Sequence, residues 1–341
     1  MPEERIISTS AQDEDQQFDL SLRPQQLDEF VGQPKLKEVL GIAIEAARGR
    51  GEAMDHVLLY GPPGLGKTTL ASIIANELGV SIDLTSGPVL QKKLDLTGAL
   101  TTLIPRQVFF VDEVHRLFPD VEEMLYSALE DFRVDLMVGA GPGARTHSIP
   151  LSPFTAIGAT TRAGLISGPL RSRFGLTLRL NPYGVAELTE IVFRSARLLG
   201  VEIDDGGAEE IAKRSRGTPR IANRLLRRVR DYSQVRADGK IARPVARTAL
   251  DLLEVDPFGL DEVDQKVMRT ILGKYAGGPV GLNTIAASIG EDANTIEEVY
   301  EPYLMQLGFL DRTPRGRVGT RLAFEYFKIA LPQGPQANLR F

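Results

Sequence analysis

The sequence predicts an α/β chain: a parallel sheet with helices on both faces and an inserted β-hairpin, then an all-helical segment, then three helices closed by a pair of short strands. Three observations predict it. Short apolar or β-branched runs recur from Val57 to Leu180, mostly separated by segments long enough for a helix. A turn signal, Ala140-Gly141-Pro142-Gly143, joins two extended runs ahead of the fourth core strand. After Asn181-Pro182 the periodicity is wholly helical to about Leu253. With 341 residues the chain has room for two or three domains of ~100–200 residues each.

Residues 1–20 are acidic and Gln-rich without apolar periodicity, which predicts a mobile arm. Over 21–182, the runs VLLY (57–60), VSIDLT (80–85), VFFVDE (108–113), FTAIGATT (154–161) and LTLRL (176–180) predict the buried strands of a parallel sheet. One intervening helix is especially clear, because Val121, Met124, Leu125, Ala128, Leu129 and Phe132 fall at helical spacing. The runs DFRVDLMVG and ARTHSIPL around the Pro-Gly turn predict a hairpin over about 131–149, with Phe132, Val134, Leu136 and Val138 on one alternating face. A two-stranded ribbon is marginal alone, so that face must pack on its own domain or meet a partner. Residues 183–255 predict a helical domain, and Val255-Asp256-Pro257-Phe258-Gly259 a linker. In 256–341, DEVDQKVMRTIL, GLNTIAASIG and TIEEVYEPYLMQL predict three helices, and GFLDRTPRGRVGT two strands around Pro314-Arg315-Gly316. Together these describe a winged helix.

Composition excludes several classes of function. No stretch approaches ~18 consecutive apolar residues, and the N-terminus lacks the basic start and apolar run of a secretion signal, so a cytoplasmic chain without a membrane span is expected. There is no cysteine, and His56, His115 and His147 lack metal-ligand spacing. The net charge of -5 hides two basic islands. Lys213–Arg247 holds only two acids, Asp231 and Asp238, and Asp311–Lys328 only Asp311 and Glu325. Such a run is most simply a solvated helix face.

Gly61-Pro62-Pro63-Gly64-Leu65-Gly66-Lys67-Thr68 fits G-x-x-x-x-G-K-[ST] in full, between the strand VLLY and the helix TLASIIANEL. Gly64 and Gly66 let backbone N–H groups turn toward a phosphate chain, and the following helix N-terminus favours negative charge. Lys67 would reach the β- and γ-phosphates of ATP, and the Thr68 hydroxyl would bind Mg²⁺. About forty residues on, Val108–Val111 deliver Asp112 and Glu113 to a strand end, where open α/β sheets bind ligands. Asp112 would hold the magnesium shell, and Glu113 would orient and deprotonate the attacking water.

Beyond these motifs, TSGPVL, DEVHRL, GATTRAG, PLRSRFG, GTPRIANRLLRRVRD, GGPVGL, TIEEVYEPYL and RTPRGR make nearly the whole chain after residue 20 resemble the AAA+ ATPases, and within them the RuvB family of bacterial Holliday-junction branch-migration motors. The resemblance implies an AAA+ domain, a helical lid and a winged-helix head. It implies Thr161 as the sensor-1 residue, Arg173 (with Arg171 as the alternative) as an arginine finger reaching a neighbouring subunit, and Arg220 as the sensor-2 arginine. Leu22, Arg23, Thr69 and Tyr183, with Glu130, Asp131 and Phe132, match the family's nucleotide contacts. Arg312, Arg315 and Arg317 cluster on the wing, and the family's DNA contacts carry most naturally to Arg312 and Arg317, whereas Ala293 stands where relatives often carry a basic residue. The implied partners are duplex and Holliday-junction DNA, RuvA through the hairpin, RuvC, and further copies of the chain in a homo-hexamer. The implied activity is ATP hydrolysis coupled to branch migration in recombination and repair. A clamp-loader or initiator-like AAA+ protein is the alternative, since it uses the same phosphate chemistry.

Overall fold

A computed structural model describes residues 22–138 and 145–331. The expected arm over 1–20 and the turn Ala140–Gly143 lie outside the described residues. The chain divides into two compact units, one of Gln17–Ile191 with Thr218–Arg220, the other of Val192–Gly217 with Ile221 onward.

Among the described residues, the first unit holds seven strands: β1 Val57–Tyr60, β2 Ile82–Ser86, β3 Val108–Asp112, β4 Arg133–Val138, β5 Arg145–Pro150, β6 Thr155–Thr160 and β7 Leu176–Arg179. Five of them form one sheet in the order β2-β3-β6-β1-β7, and every pairing is parallel. All six residues of β6 and the first four of β3 are buried, so both faces of the sheet are covered. Because β6 pairs with both β1 and β3, Tyr60 lies opposite Thr160 and Val111 opposite Gly158. The C-terminal ends of these three strands therefore open side by side, bringing together loops that are far apart in sequence.

Strand β2 starts two residues later than its sequence suggests. Gly79 ends the helix Lys67–Leu78 in the left-handed conformation, and the Val80 N–H closes back on the Ala75 carbonyl at 3.0 Å, which takes Val80 out of the sheet. The helix Pro119–Asp131 buries Val121, Met124, Leu125, Ala128 and Leu129 as expected. Phe132 does not extend it. At φ 50 it caps the helix, and its ring packs edge-on against His56 and Phe154 at centroid distances of 6.0 and 5.7 Å.

The hairpin exists as predicted, β4 pairing antiparallel with β5 and Val134 facing Ile149. Val134 is fully buried, and Phe132, Leu136 and Ile149 pack on the core of the unit's own sheet and helices. At these positions the apolar face covers its own domain rather than awaiting a partner. A polar residue at Leu136 would therefore test folding more than docking.

In the second unit, the helices Asp205–Lys213 and Arg243–Leu252 pack on each other, and most of the helix Pro219–Arg236 belongs to the same unit. The basic run is not only a solvated face. Arg214, 1 % exposed, donates to Glu210 at 2.7 Å and to the Val255 carbonyl at 2.6 Å, and Arg216 donates to the Gly259 carbonyl and to buried Asp264. These buried arginines tie the helical segment to the linker and the head.

The head begins with the helix Glu262–Arg269, capped by Asp261 and continued by a π-helical turn Thr270–Lys274. Leu282–Ile289 follows, then a helical stretch Ala293–Thr295, Ile296–Tyr300 and Glu301–Gln306. Strands β8 Leu310–Thr313 and β9 Gly316–Gly319 pair antiparallel, which makes the head a winged helix. A final helix, Arg321–Phe327, goes beyond the sequence reading and buries Ala323, Phe324 and Phe327 against Val267, Ile271 and Ile296 in the head's core. Ala293 is half-buried against that core. Among the described residues, no helix is long and apolar enough to cross a membrane.

Candidate active site

The loop after β1 wraps around its own lysine. Gly66 stands before the helix Lys67–Leu78 at φ 99, a conformation that glycine adopts without strain. The Lys67 ammonium points back into the loop, donating to the Gly61 carbonyl at 2.8 Å and the Pro62 carbonyl at 3.0 Å. Burial lowers its pKa to about 8, outweighing the opposing pull of Asp112 and Glu113. Gly64 has φ 78, and a Cβ there would lie 2.6 Å from the Thr218 side chain, so only glycine lets Thr218 and Arg220 approach. The Arg220 N–H points at the Gly64 carbonyl at 3.4 Å, and its guanidinium is close enough to Lys67 to disfavour the charged amine. Thr69 is buried in the first turn of the helix, and Thr68 is half-buried at its start.

Across β6 stand the two acids. The Asp112 carboxylate accepts the N–H of Glu113 at 2.9 Å. Glu113 occupies the left-handed region at φ 47, which turns its side chain sharply off the strand. Its carboxylate accepts the Thr161 hydroxyl at 3.1 Å, so the expected sensor-1 threonine and the expected base are in direct contact. Gly87 of the TSGPVL motif buttresses this turn. Its N–H donates to the Asp112 carbonyl at 2.8 Å, and a Cβ would lie 2.5 Å from the Glu113 carbonyl oxygen.

Leu22 is buried, Arg23 half-exposed, and the buried Tyr183 points its hydroxyl at the Leu65 carbonyl at 3.4 Å. Desolvation raises the pKa of that hydroxyl. Tyr183 therefore packs directly on the phosphate-binding loop. Glu130, Asp131 and Phe132 are not brought to this side. Exposed Glu130 pairs with Arg173 at 2.7 Å, Asp131 pairs with Arg133 at 3.1 Å, and the Phe132 ring belongs to the core.

Arg173 closes the short helix Gly168–Ser172, which is capped by Ser167. Its guanidinium is 4.7 Å above the Tyr126 ring and donates to the Pro169 carbonyl at 2.8 Å. The Tyr126 hydroxyl in turn donates to Glu122 at 2.6 Å. Glu122, Tyr126 and Glu130 follow one another at i, i+4 and i+8, so a single stripe of the helix Pro119–Asp131 cradles Arg173 and its cap. The sequence reading missed this stripe, although its polar spacing was visible beside the apolar one. Arg171 is exposed.

On the wing, Arg312 is exposed and pairs with Glu297, and Arg315 is exposed at the turn. Arg317 differs from both. Its side chain is 11 % exposed and forks onto Glu301, itself 2 % exposed, at 2.5 and 3.1 Å. Its guanidinium is engaged inside the head rather than at the wing tip.

This donor set fits ATP with Mg²⁺: a buried ammonium held only by carbonyls, a helix N-terminus beside it, and a hydroxyl and carboxylate as hard oxygen donors. Among the described residues, no group of three or more His, Asp or Glu is placed to hold a metal alone.

Comparison with known proteins agrees along most of the chain. Residues 22–180 match the Holliday junction DNA helicase RuvB P-loop domain, 183–256 the RuvB AAA lid domain, and 257–328 the RuvB C-terminal winged helix domain. The chain is 73 % identical over 329 residues to the Holliday junction branch migration complex subunit RuvB of Solibacter usitatus (strain Ellin6076), covering 96 % of each chain. It is 64 % identical over 330 residues to the same subunit of Koribacter versatilis (strain Ellin345), covering 97 % of this chain and 92 % of the relative. The Thermotoga maritima RuvB Holliday junction branch migration motor is 55 % identical and superposes with a TM-score of 0.83 over 92 % of this chain and 100 % of that one. The chain belongs to the RuvB family.

Proposed function

We propose that the chain is an ATP-hydrolysing cytoplasmic motor that pumps duplex DNA and drives Holliday-junction branch migration with RuvA, in recombination and repair. The observation that carries this reading is the meeting of Lys67, Asp112, Glu113 and Thr161 on the adjoining ends of β1, β3 and β6, with Arg220 beside the phosphate-binding loop. Lys67 and the N-terminus of its helix bind the phosphate chain. Thr68 and Asp112 would hold Mg²⁺, which would neutralise phosphate charge. Glu113 orients the attacking water and takes its proton, and Thr161 keeps that carboxylate beside the γ-phosphate position. Arg220 reports nucleotide on the lid side.

Arg173, with Glu130 beside it, serves the nucleotide of an adjacent copy, which makes a ring the working form, a hexamer by family resemblance. RuvA docks on the hairpin, and RuvC joins the assembly at the junction. Adding ATP and RuvA to a synthetic four-way junction should separate it into duplexes. ATP hydrolysis that leaves the junction intact while loading another protein onto DNA would favour the clamp-loader alternative.

DNA contact is assigned to Arg312 and Arg315, whose exposed guanidinium groups can fork onto phosphates. Replacing both with alanine should weaken binding about equally for unrelated sequences and make the slope of log affinity against log salt shallower by roughly 0.9 per lost contact. Arg317→Ala should instead leave buried Glu301 unpaired, costing about 3–5 kcal/mol and lowering the melting temperature. An unchanged salt slope in the double variant would reject phosphate binding at the wing.

A further inference from the structure

We propose that His115 is a positioning residue for Glu113, holding its carboxylate in the direction required to act on water. The proposal rests on the reading of Glu113 as the base. His115 lies on the 3₁₀ turn Val114–Arg116 directly after the acid pair, and its side chain is only 7 % exposed. Its Nδ1 is 3.1 Å from Glu113 Oε2 and 2.9 Å from the Thr160 hydroxyl. The Thr160 oxygen already accepts the Arg162 N–H at 3.0 Å.

The surroundings select the tautomer. An unprotonated Nδ1 would set its lone pair against a carboxylate oxygen. A protonated one donates a charge-assisted hydrogen bond to Glu113 and shares it with Thr160. The same Oε2 accepts the Thr161 hydroxyl, so two donors from two different elements converge on one carboxylate oxygen. Main chain and side chain are then fixed separately. Gly87 packs under the left-handed turn at Glu113, while His115 and Thr161 fix the torsions beyond Cβ.

A general base works only within hydrogen-bond reach of its proton, and a displacement near 1 Å can cost about 10²-fold in rate. Glu113 is 31 % exposed, so packing alone does not restrain it. A purely structural His115 would need only the Thr160 contact, which ties the turn to the end of β6. The two roles differ in whether the effect of His115 passes through the carboxylate.

The test is a double-mutant cycle on the full-length chain with ATP and Mg²⁺, with a ring-nitrogen NMR measurement on the nucleotide-free protein. His115→Ala should lower kcat about 10- to 100-fold with KM nearly unchanged. His115→Asn, whose amide can replace the Nδ1 donor, should recover most of that loss. In a Glu113→Gln background, His115→Ala should cost little more, because the group it positions no longer acts as a base. The wild-type ¹⁵N spectrum should show Nδ1 of His115 protonated.

Equal losses in both backgrounds, or an unprotonated Nδ1 accepting from Thr160, would overturn the proposal while leaving Glu113 as the base. Near-wild-type hydrolysis by Glu113→Gln alone would instead reject the base assignment, and the positioning role with it.

Discussion

Glu113→Gln is expected to bind ATP normally yet hydrolyse it roughly 10²–10⁴-fold more slowly, the usual contribution of a positioned general base. The amide is nearly isosteric and keeps an oxygen to accept the Thr161 hydroxyl, so the pairing of β3 and β6 ends survives. Only the capacity to take a proton is lost. Lys67→Ala should behave oppositely. Its ammonium sits inside the loop on two carbonyls, with its pKa held near 8 by burial, and phosphate oxygens are the acceptors that would restore the full charge. Losing a charged hydrogen bond of about 1.5–3 kcal/mol weakens ATP binding roughly 10- to 150-fold. Equilibrium binding of a fluorescent ATP analogue, alongside single-turnover hydrolysis, separates the two variants. The same loss of affinity in both would mean that Glu113 acts in the ground state, and the division of labour would be wrong.

The parts of the site that follow from local chemistry were legible in the sequence. The glycine spacing of residues 61–68 dictates a loop, and four apolar residues before Asp112 dictate a buried strand that delivers the acids to its end. Nothing local says that β6 lies between β1 and β3, yet that order brings Thr161 to Glu113. His115 reads as an isolated histidine because its partner Thr160 is 45 residues away along the chain. Arg317 shows the converse failure. The resemblance puts it on the wing with Arg312 and Arg315, but its guanidinium forks onto buried Glu301 of the helix Glu301–Gln306, which lies outside the wing. The apolar hairpin face was equally ambiguous, because alternation says which side chains share a face without saying what covers it. The helix Pro34–Arg50 buries Leu36, Leu40, Ile44 and Ala47 at helical spacing, a pattern as regular as that of residues 121–129. It lacks a side-chain N-cap, starting instead at Pro34 after left-handed Gln33, so the usual start signal is missing.

Arg173→Ala should retain ATP binding but lose hydrolysis by roughly 10³–10⁵-fold, the range for arginine fingers supplied in trans. Its setting supports a residue prepared for electrostatic work rather than a loose surface charge. The guanidinium is held at the end of a capped helical turn by Glu130, the Tyr126 ring and the Pro169 carbonyl, while a quarter of the side chain remains exposed. Such fixing reduces the ordering needed when a neighbouring phosphate arrives. Arg171, two residues earlier and exposed, lacks this setting, and Arg171→Ala should change hydrolysis far less. Mixing Arg173→Ala with Lys67→Ala provides the decisive measurement. The first variant binds ATP but offers no finger; the second offers a finger but binds ATP only weakly. At a mixed interface of the right orientation, an intact phosphate-binding loop meets an intact Arg173, and part of the ATPase activity should return in proportion to the number of such interfaces. If both variants assemble at normal size and no mixture regains activity, Arg173 does not act across subunits, and its pairing with Glu130 would be a structural contact within one chain.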